Sequence, residues 1–155
     1  MTKPGGATVH ASAVLVGARA VLIRGPSAAG KSRLAWELIE AGRCGTAAFA
    51  RLIGDDRVHL QAAGGRLLVR PADALAGLIE LRGVGILRRD HEPCAVVGLV
   101  VDLAAADAQR LPERGESVVE GIAIPRLAVA PGVAALPMVL AVVTSCDAET
   151  VSTAS

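Results

Sequence analysis

The segment Gly25–Ser32 constrains this chain more than any other part of its sequence. It satisfies the phosphate-loop pattern G-x-x-x-x-G-K-[S/T], in which the glycines let the backbone turn tightly around an anion. Lys31 offers a charge to the terminal phosphates, and Ser32 offers a hydroxyl to a bound Mg²⁺. The pattern therefore predicts a site for a nucleoside triphosphate. Its expected binding residues are Gly25, Pro26, Ser27, Ala28, Ala29, Gly30, Lys31 and Ser32.

The sequence on both sides of the loop is what such a site requires. The run Arg19–Arg24 contains four consecutive apolar residues, as expected for a strand that is buried on both faces. Ser12–Val16 precedes it, and Gly17-Ala18 between the two runs predicts a tight hairpin turn. Lys31–Ala41 has apolar residues at helical spacing, and Gly42 follows as the expected C-cap. A strand, the loop and a helix in this order favour a phosphate site over an ordinary glycine-rich turn.

The rest of the chain contains mainly strand patterns, with few helical ones. Ala72–Leu78 predicts a helical turn, whereas Met138–Val143 fits a helix or a strand equally well. We expect a single domain over residues 1–155, with its core over 8–145 and a disordered tail over 146–155. The predicted strands are Leu52–Ile53, Val58–Ala62, Leu67–Arg70, Ala95–Leu103, Val118–Val119, Ile122–Ile124 and Leu127–Val129.

The composition argues against several classes of function. The net charge is +1, the acidic and basic residues are mixed, and Trp36 and Phe49 are the only aromatic residues. No basic stripe or stacking surface for nucleic acid is therefore expected. The longest apolar runs are too short to span a bilayer, and the first residues lack the apolar segment of a signal peptide. The three cysteines form no C-x-x-C motif and are expected to be reduced thiols of a cytoplasmic protein.

Charged residues follow the phosphate loop at two places. Asp55 and Asp56 come directly after a short apolar strand, where an α/β nucleotide site places its acidic groups. A Gly-Asp-Asp turn alone is more often a solvated loop, but its position after the phosphate loop favours a functional role. Glu80 and Arg82 stand in an apolar, glycine-rich segment, where a site and an exposed ion pair are equally good explanations. His10, like the other two histidines, stands alone, which is typical of a surface residue.

Four segments together resemble the catalytic domain of HPr kinase/phosphorylase, in a short form that consists of the C-terminal catalytic domain only. In chain order they are Val9–Ser12, Gly25–Ser32, Gly54–Val58 and Ile79–Ile86. The last is the most specific, because it is very close to the family's Leu-Glu-Ile-Arg-Gly-Leu-Gly-Ile signature. The resemblance implies an α/β fold of the P-loop type, with a mostly β core like that of HPr kinase and PEP carboxykinase and with flanking helices.

The resemblance also implies the cofactors and the partner. The expected activity is an ATP- and Mg²⁺-dependent serine kinase that phosphorylates the phosphocarrier protein HPr of a bacterial phosphotransferase system. Lys31 and the loop would bind ATP, and Ser32, Glu80 and Asp55 would hold Mg²⁺. Because the family forms hexamers, a homo-oligomer is implied, and neither nucleic acid nor a membrane is an expected partner.

The same resemblance assigns the catalytic residues as His10, Lys31, Asp55, Asp56 and Arg82. One of the two aspartates would be the general base that takes the proton from the seryl hydroxyl, and both fit that role. His10 would support this carboxylate. Arg82 would be an additional cation for the transferred group, or it would position the neighbouring glutamate.

Three departures from the family pattern limit the resemblance. Arg33 stands where the family usually has Glu, the segment after Gly85 is shorter and lacks the family's Val-Arg-Glu-Asp stretch in clear form, and Ala130–Val133 stands where the family has Arg-Pro-Gly-Arg. Because the last two of these segments are associated with dephosphorylation in the family, their changes favour kinase over phosphorylase activity. Two alternatives stay open: a small P-loop phosphotransferase or NTPase that acts on a metabolite, and a nucleotide-binding regulatory module without catalysis.

Overall fold

The structure, a computed structural model, describes residues 7–109 and 115–147. Most of its strands form one nine-stranded sheet, and two further strands form a separate hairpin. In chain order the elements are β1 (Val9–His10), β2 (Ser12–Val16), β3 (Arg19–Arg24), α1 (Lys31–Arg43), β4 (Ala50–Gly54), β5 (Arg57–Ala63), β6 (Arg66–Pro71), a 3₁₀ turn (Asp73–Leu75), β7 (Leu78–Leu81), β8 (Gly85–Arg88), β9 (Ala95–Asp102), β10 (Gly115–Val119), β11 (Ile122–Ala128) and α2 (Leu136–Asp147).

The order of the strands determines which loops meet. The main path of the sheet is β1-β5-β6-β9-β3-β2-β4. β9 pairs in parallel with β3. The first residues of β9 also pair with β6 in the antiparallel direction, and its last residues pair with β11 in parallel. Because β2 is antiparallel to both β3 and β4, those two strands run in the same direction. The carboxyl ends of β3, β4, β9 and β11 therefore all lie at one end of the sheet, which we call the carboxyl end.

The alternation of side chains along β3 divides the core between the two faces of the sheet. Val21 and Ile23 belong to a buried cluster that includes residues of α1 and α2. Leu22 points to the other face and belongs to a cluster that includes Val58 of β5 and Val69 of β6. The sheet therefore curls so that its β5–β6 half covers its own central strands. Burying each of these side chains contributes about 1.5–3 kcal/mol to folding.

The predicted hairpin before the phosphate loop is confirmed with its bounds unchanged. Ser12–Val16 pairs with Arg19–Arg24, so that Val16 lies opposite Arg19. Gly17 occupies the turn with a φ of +66°, a conformation that glycine adopts without steric cost. This hairpin positions the strand from which the phosphate loop begins.

The predicted end of the helix after the loop is wrong. α1 continues past Ala41 to Arg43, and Cys44 is its C-cap. Gly42 lies inside the helix, where an added Cβ would come within 2.6 Å of the Cβ of Ala50. The glycine is therefore needed for its small size against β4 rather than for its backbone freedom.

Other expected elements change in extent. The predicted helical turn shrinks to the 3₁₀ turn Asp73–Leu75, because Leu78 already begins β7. The strands predicted on both sides of Pro125 join into β11, since the pairing with β9 begins only at Arg126. The ambiguous segment Met138–Val143 lies in α2. This helix continues to Asp147, so the tail predicted to begin at residue 146 is wrong in its first two residues, and residues 148–155 lie outside the described residues. Within the described residues, no helix is long and apolar enough to cross a membrane.

Candidate active site

The phosphate loop joins β3 to α1 at the carboxyl end of the sheet. Gly25 packs against the end of β9, where an added Cβ would lie 3.1 Å from the Cβ of Leu103. Ala28 and Gly30 both have positive φ, at +68° and +103°, and Gly30 is the N-cap of α1. These bends are what a backbone needs to wrap an anion with its N–H groups. The start of α1 adds the positive end of a helix dipole at the same place.

Lys31 lies across the opening of this loop. Its Nζ donates to the carbonyl oxygens of Gly25 at 2.9 Å and Pro26 at 3.2 Å. Lys31 takes part in none of the ion pairs formed among the described residues, and the first turn of α1 contains no acidic residue. The positive charge of the lysine is therefore uncompensated in this part of the structure and available to a phosphate group.

Asp55 is a buried carboxylate at the end of β4, with only 3% of its surface exposed. Its Oδ1 accepts hydrogen bonds from the hydroxyls of Ser12 and Ser32, each at 2.7 Å. Its Oδ2 accepts from Ser32 at 2.9 Å and from the backbone N–H of Glu80 at 3.1 Å. Such bonds offset the cost of burying a charged group. Asp55 therefore ties β2, the start of α1 and β7 together, directly beside the phosphate loop.

Asp56 has the opposite environment, because its side chain is 63% exposed. His10 Nδ1 lies 3.9 Å from its Oδ1, and His10 Nε2 lies 3.0 Å from Nη2 of Arg57. A guanidinium can only donate, so a neutral His10 ring carries its proton on Nδ1, the nitrogen that faces Asp56. His10 therefore lies beside this acidic segment, facing the second aspartate, at a distance longer than a hydrogen bond.

The β7–β8 hairpin carries the remaining predicted residues. The backbone N–H of Glu80 donates a hydrogen bond to Asp55, and the side chain of Glu80 is exposed. The neighbouring residue Ile79 is buried. Arg82 lies in the turn between the two strands, is exposed, and forms no ion pair or hydrogen bond recorded among the described residues. The backbone of Glu80 is therefore held against Asp55, and the side chains of Glu80 and Arg82 form no ion pair with one another among the described residues.

The expected metal ligands Ser32, Asp55 and Glu80 all offer oxygen atoms. The described residues contain no cluster of three or more His, Cys, Asp or Glu side chains that could hold a metal by itself. Ser32 and Asp55 are in direct contact, and Glu80 is joined to Asp55 through its backbone. One hydroxyl and two carboxylates fit Mg²⁺, which prefers oxygen ligands and completes its shell with water and substrate phosphates.

A second charged network, which sequence reasoning missed, lies on the other side of the loop. Arg24 donates from Nε and Nη2 to the two carboxylate oxygens of Asp102, at 2.7 and 2.9 Å, and from Nη2 to Ser117 at 3.1 Å. Arg126 donates from Nε to Asp102 at 2.5 Å and from its two Nη atoms to Asp107 at 2.9 and 3.1 Å. The network joins the last residues of β3 and β9 to β11 immediately before the phosphate loop. The available signal was the charged residue that ends each of two apolar strands, Arg24 and Asp102.

The pKa of Asp102 reflects these contacts. Burial alone would raise it, but the hydrogen bonds from Arg24 and Arg126 together with their charges outweigh burial and hold the pKa below its ordinary value. The pKa of Asp107 is also lowered, chiefly by its hydrogen bond from Arg126, and the pKa of Arg126 is raised in return. The network is therefore charged at neutral pH and balanced between two acids and two bases.

Two clefts flank the strands that carry the site. The smaller one, of about 350 Å³, lies beside the phosphate loop and includes Ala28 and Ala29 in its wall. The larger one, of about 860 Å³, lies at the other end of β3 and β9, around Arg19 and Gly98. Because the larger cleft contains none of the predicted site residues, its size does not identify the site. The residues that can bind phosphate and a metal all lie at the carboxyl end.

Comparison with known families and proteins agrees with this geometry. The family model described as the HPr Serine kinase C-terminal domain matches residues 5–129. The HPr kinase/phosphorylase of Limosilactobacillus reuteri is 33% identical over 135 residues, which are 79% of this chain and 40% of that protein. The HPr kinase/phosphorylase of Streptococcus thermophilus is 42% identical over 81 residues, which are 52% of this chain and 24% of that protein.

A solved structure has the same fold. The structure of the Hpr(Ser) kinase/phosphatase from Coxiella burnetii superimposes with a TM-score of 0.71 at 22% sequence identity, and the match covers 91% of this chain and 90% of that chain. The α/β fold of the P-loop type with a mostly β core is therefore confirmed. The chain spans 40% or less of the length of the two curated relatives described above.

Proposed function

The chain belongs to the family of the HPr serine kinase C-terminal domain, and from this premise we propose that it transfers the γ-phosphoryl group of ATP to a serine of HPr or an HPr-like phosphocarrier protein. The observation that carries the proposal is the contrast between two adjacent carboxylates beside one phosphate loop. Asp55 is buried against Ser32, whereas Asp56 is exposed beside His10. One carboxylate can thus organise the nucleotide site while the other meets a substrate from solvent.

The phosphate-binding side of the mechanism uses groups that are already in position. The N–H groups of residues 25–32 and the ammonium of Lys31 hold the phosphates and offset the negative charge of the transferred group. Ser32, Asp55 and Glu80 would hold Mg²⁺, which supplies further charge neutralisation at the phosphate oxygens. The hydrogen bonds of Asp55 keep Ser32 and the backbone of Glu80 in place before the substrate arrives.

We assign Asp56 as the general base. The proton of the seryl hydroxyl moves to its carboxylate while the seryl oxygen attacks the γ-phosphorus, and the bond from the γ-phosphorus to the bridging oxygen of ADP breaks. Support comes from the two environments, since the oxygens of Asp55 are occupied by Ser12, Ser32 and Glu80, whereas those of Asp56 face solvent. His10 orients the Asp56 carboxylate. Arg82 adds positive charge at the open side of the site.

An apolar surface on the β7–β8 hairpin supports a protein substrate. Val84 and Ile86 are each 67% exposed and belong to the hairpin that carries Glu80. Exposed apolar side chains beside a site are typical of a surface that binds another protein rather than a small polar metabolite. We further propose that the protein works in the cytoplasm as a homo-oligomer, hexameric as the family resemblance implies, without nucleic acid or a membrane as partner.

The forward reaction is favoured over the reverse one. The segment Ala130–Val133 follows β11 and reaches the cleft beside the phosphate loop, where it contributes only alanine, proline, glycine and valine. Neither of the two arginines that the family has in this segment is present. We therefore propose kinase activity as the main activity, with little or no phosphorolysis of the phosphoserine.

The test is transfer from labelled ATP and Mg²⁺ to HPr of the host organism, followed by mapping of the labelled residue. Label on one serine supports the proposal, and Asp56→Asn is the matched variant that should lose it. ATP hydrolysis without transfer would instead indicate an NTPase or a metabolite kinase. Tight nucleotide binding with neither reaction would indicate a regulatory module.

A further inference from the structure

We propose that the cleft of about 860 Å³ at the end of β3 and β9 opposite the phosphate loop binds a monocarboxylate with an apolar chain, such as a medium-chain fatty acid. We call this cleft the distal cleft. None of the residues assigned above to phosphate, metal or phosphoryl transfer lines it, so the inference goes beyond the proposed function and does not depend on it. Its volume lies in the range of about 300–1,000 Å³ that is usual for small-molecule sites.

Apolar side chains provide most of the lining of the distal cleft. Val96 of β9, Ile122 of β11, and Val142 and Val143 of α2 line it, and each is only half-buried. The rest of the lining consists mainly of alanine, glycine and buried core residues such as Leu99. An alkyl chain that covers these side chains removes both its own surface and theirs from water, which favours binding.

The charged groups of the distal cleft all have the same sign. Arg19 of β3 and Arg66 of β6 line it, and no acidic side chain does. Among the residues that the structure describes, neither guanidinium group takes part in an ion pair or a hydrogen bond. A guanidinium group binds a carboxylate through two parallel N–H donors. The lining therefore offers an anionic group two free partners beside an apolar surface.

Gly98 fixes the position of one of these arginines. A Cβ added at Gly98 would lie 2.8 Å from the Cβ of Arg19 and 3.1 Å from its Cδ, so the aliphatic part of Arg19 lies directly against the backbone of β9. A glycine inside a strand often marks a place where another group approaches the backbone closely. Because the side chain of Arg19 is already packed on the strand, it loses less conformational freedom when its guanidinium group binds an anion.

Backbone hydrogen bonds hold the wall of the distal cleft that follows α1. The N–H groups of Thr46 and Ala47 donate to the carbonyl oxygen of Ala41 at 2.9 and 3.0 Å. Gly17 N–H donates to the carbonyl oxygen of Phe49 at 2.6 Å, which ties the turn between β2 and β3 to the same segment. This wall is therefore formed before any ligand binds, and a preformed wall reduces the ordering that binding requires.

The two kinds of surface together select the class of ligand. A sugar phosphate would place its hydroxyl groups against side chains that offer no hydrogen bonds, which is costly. A neutral hydrocarbon would gain nothing from Arg19 and Arg66, and a cation would be repelled by them. A carboxylate with an apolar chain uses both the guanidinium groups and the apolar lining.

The first measurement is an isothermal titration of the unmodified protein with sodium decanoate, below the concentration at which decanoate forms micelles. We expect saturable binding of decanoate and no detectable binding of acetate, which has the carboxylate without the chain. Decanoate should still bind when Mg²⁺-ATP is present in excess, because the distal cleft contains no residue of the phosphate loop. Absence of saturable decanoate binding, or its displacement by Mg²⁺-ATP, would overturn the proposal.

The second measurement removes the two positive charges. In the double variant Arg19→Ala/Arg66→Ala, decanoate should bind at least about tenfold more weakly, whereas the affinity for 1-decanol, which has no charge, should change less than about twofold. Arg88→Ala is the matched control, since Arg88 is an exposed arginine of β8 that does not line the distal cleft. An unchanged affinity for decanoate in the double variant, or an equal loss for both ligands, would overturn the proposal.

The third measurement fills the distal cleft with a large side chain. Ala123 lines the cleft and is exposed, so Ala123→Trp should abolish binding of both decanoate and 1-decanol while the sedimentation coefficient of the protein stays the same. A variant that changes the oligomeric state, together with an unmodified protein that does not bind decanoate, would show that the cleft is an interface between copies of this chain and would overturn the proposal. Transfer to HPr plays no part in these outcomes, so failure of the proposed kinase activity is distinguishable from failure of the distal cleft.

Discussion

Replacing each of the two adjacent aspartates with asparagine separates folding from chemistry. In Asp55→Asn the side chain keeps its shape, but one acceptor oxygen becomes an NH₂ donor. With the NH₂ group at the Oδ2 position, it faces the backbone N–H of Glu80, which cannot rotate away. With the NH₂ group at the Oδ1 position, the hydroxyls of Ser12 and Ser32 must turn and accept instead of donating.

The expected decrease in the free energy of unfolding follows from the hydrogen bonds that each variant loses. Hydrogen bonds to charged groups contribute about 1.5–3 kcal/mol each. Asp55→Asn loses the charge and at least one such bond at a site that is 3% exposed, so its free energy of unfolding should fall by about 2–4 kcal/mol. Asp56 is 63% exposed, and asparagine adopts positive φ as readily as aspartate. Asp56→Asn should therefore change stability by less than about 0.5 kcal/mol.

Two assays on the unmodified protein, Asp55→Asn and Asp56→Asn separate stability from chemistry. Urea unfolding followed by Trp36 fluorescence measures stability, and labelled transfer to HPr measures chemistry. Loss of a general base should lower the rate of transfer by about 10²–10⁴ in Asp56→Asn, while ATP still binds. Asp90→Asn is the control, because Asp90 is exposed and loses the same charge.

The two halves of the prediction fail separately. A urea midpoint of Asp55→Asn equal to that of the unmodified protein would refute the structural role of its hydrogen bonds. A normal transfer rate in Asp56→Asn, with ATP and HPr at saturating concentrations, would refute its role as the base.

Three further perturbations test the surroundings of the phosphate loop. Lys31→Ala should leave the urea midpoint unchanged but abolish detectable ATP binding in calorimetry. Arg33→Ala, which removes an exposed charge from the same first turn of α1, should still bind ATP, and equal affinities of the two variants would contradict the role of Lys31. Gly25→Ala should lower the free energy of unfolding by about 1–3 kcal/mol, since its Cβ would lie 3.1 Å from Leu103, and an unchanged urea midpoint would contradict this contact. The pKa of Asp102 in the folded protein lies below its ordinary value of 3.8. The charge of Asp102 therefore stabilises the fold at pH values above 3.8, and this stabilisation is lost as the pH falls through the pKa of the folded state. The stability difference between Asp102→Asn and the unmodified protein should therefore shrink from about pH 6 to about pH 3, and a constant difference would contradict the network.

Local patterns predicted the parts of the site that depend on consecutive residues. The hairpin Ser12–Val16/Arg19–Arg24 and the loop Gly25–Ser32 were predictable because apolar periodicity and glycine positions act over short distances. The fold was expected from the resemblance of Ile79–Ile86 to the family signature, and the comparisons confirm it.

Features that depend on distant partners were not predictable. Asp55 and Asp56 are adjacent and chemically identical, and only the burial of the first against Ser32 distinguishes them. The pairing of Arg24 with Asp102 joins residues 78 positions apart, and nothing in either local segment specifies it. Gly42 was predicted to be a C-cap because it follows the apolar residues of the helix. Its close approach to β4 is a tertiary contact, which the local sequence does not show.

The backbone of Asp56 has a consequence for directed evolution. Its φ is +72°, a conformation that costs a non-glycine residue about 1 kcal/mol or more. Selection of random variants for heat resistance alone should therefore enrich Asp56→Gly, which relieves this strain. If Asp56 is the base, the same variant loses transfer. A library of this protein should be selected for heat resistance and phosphoryl transfer together, because heat alone rewards removal of the carboxylate.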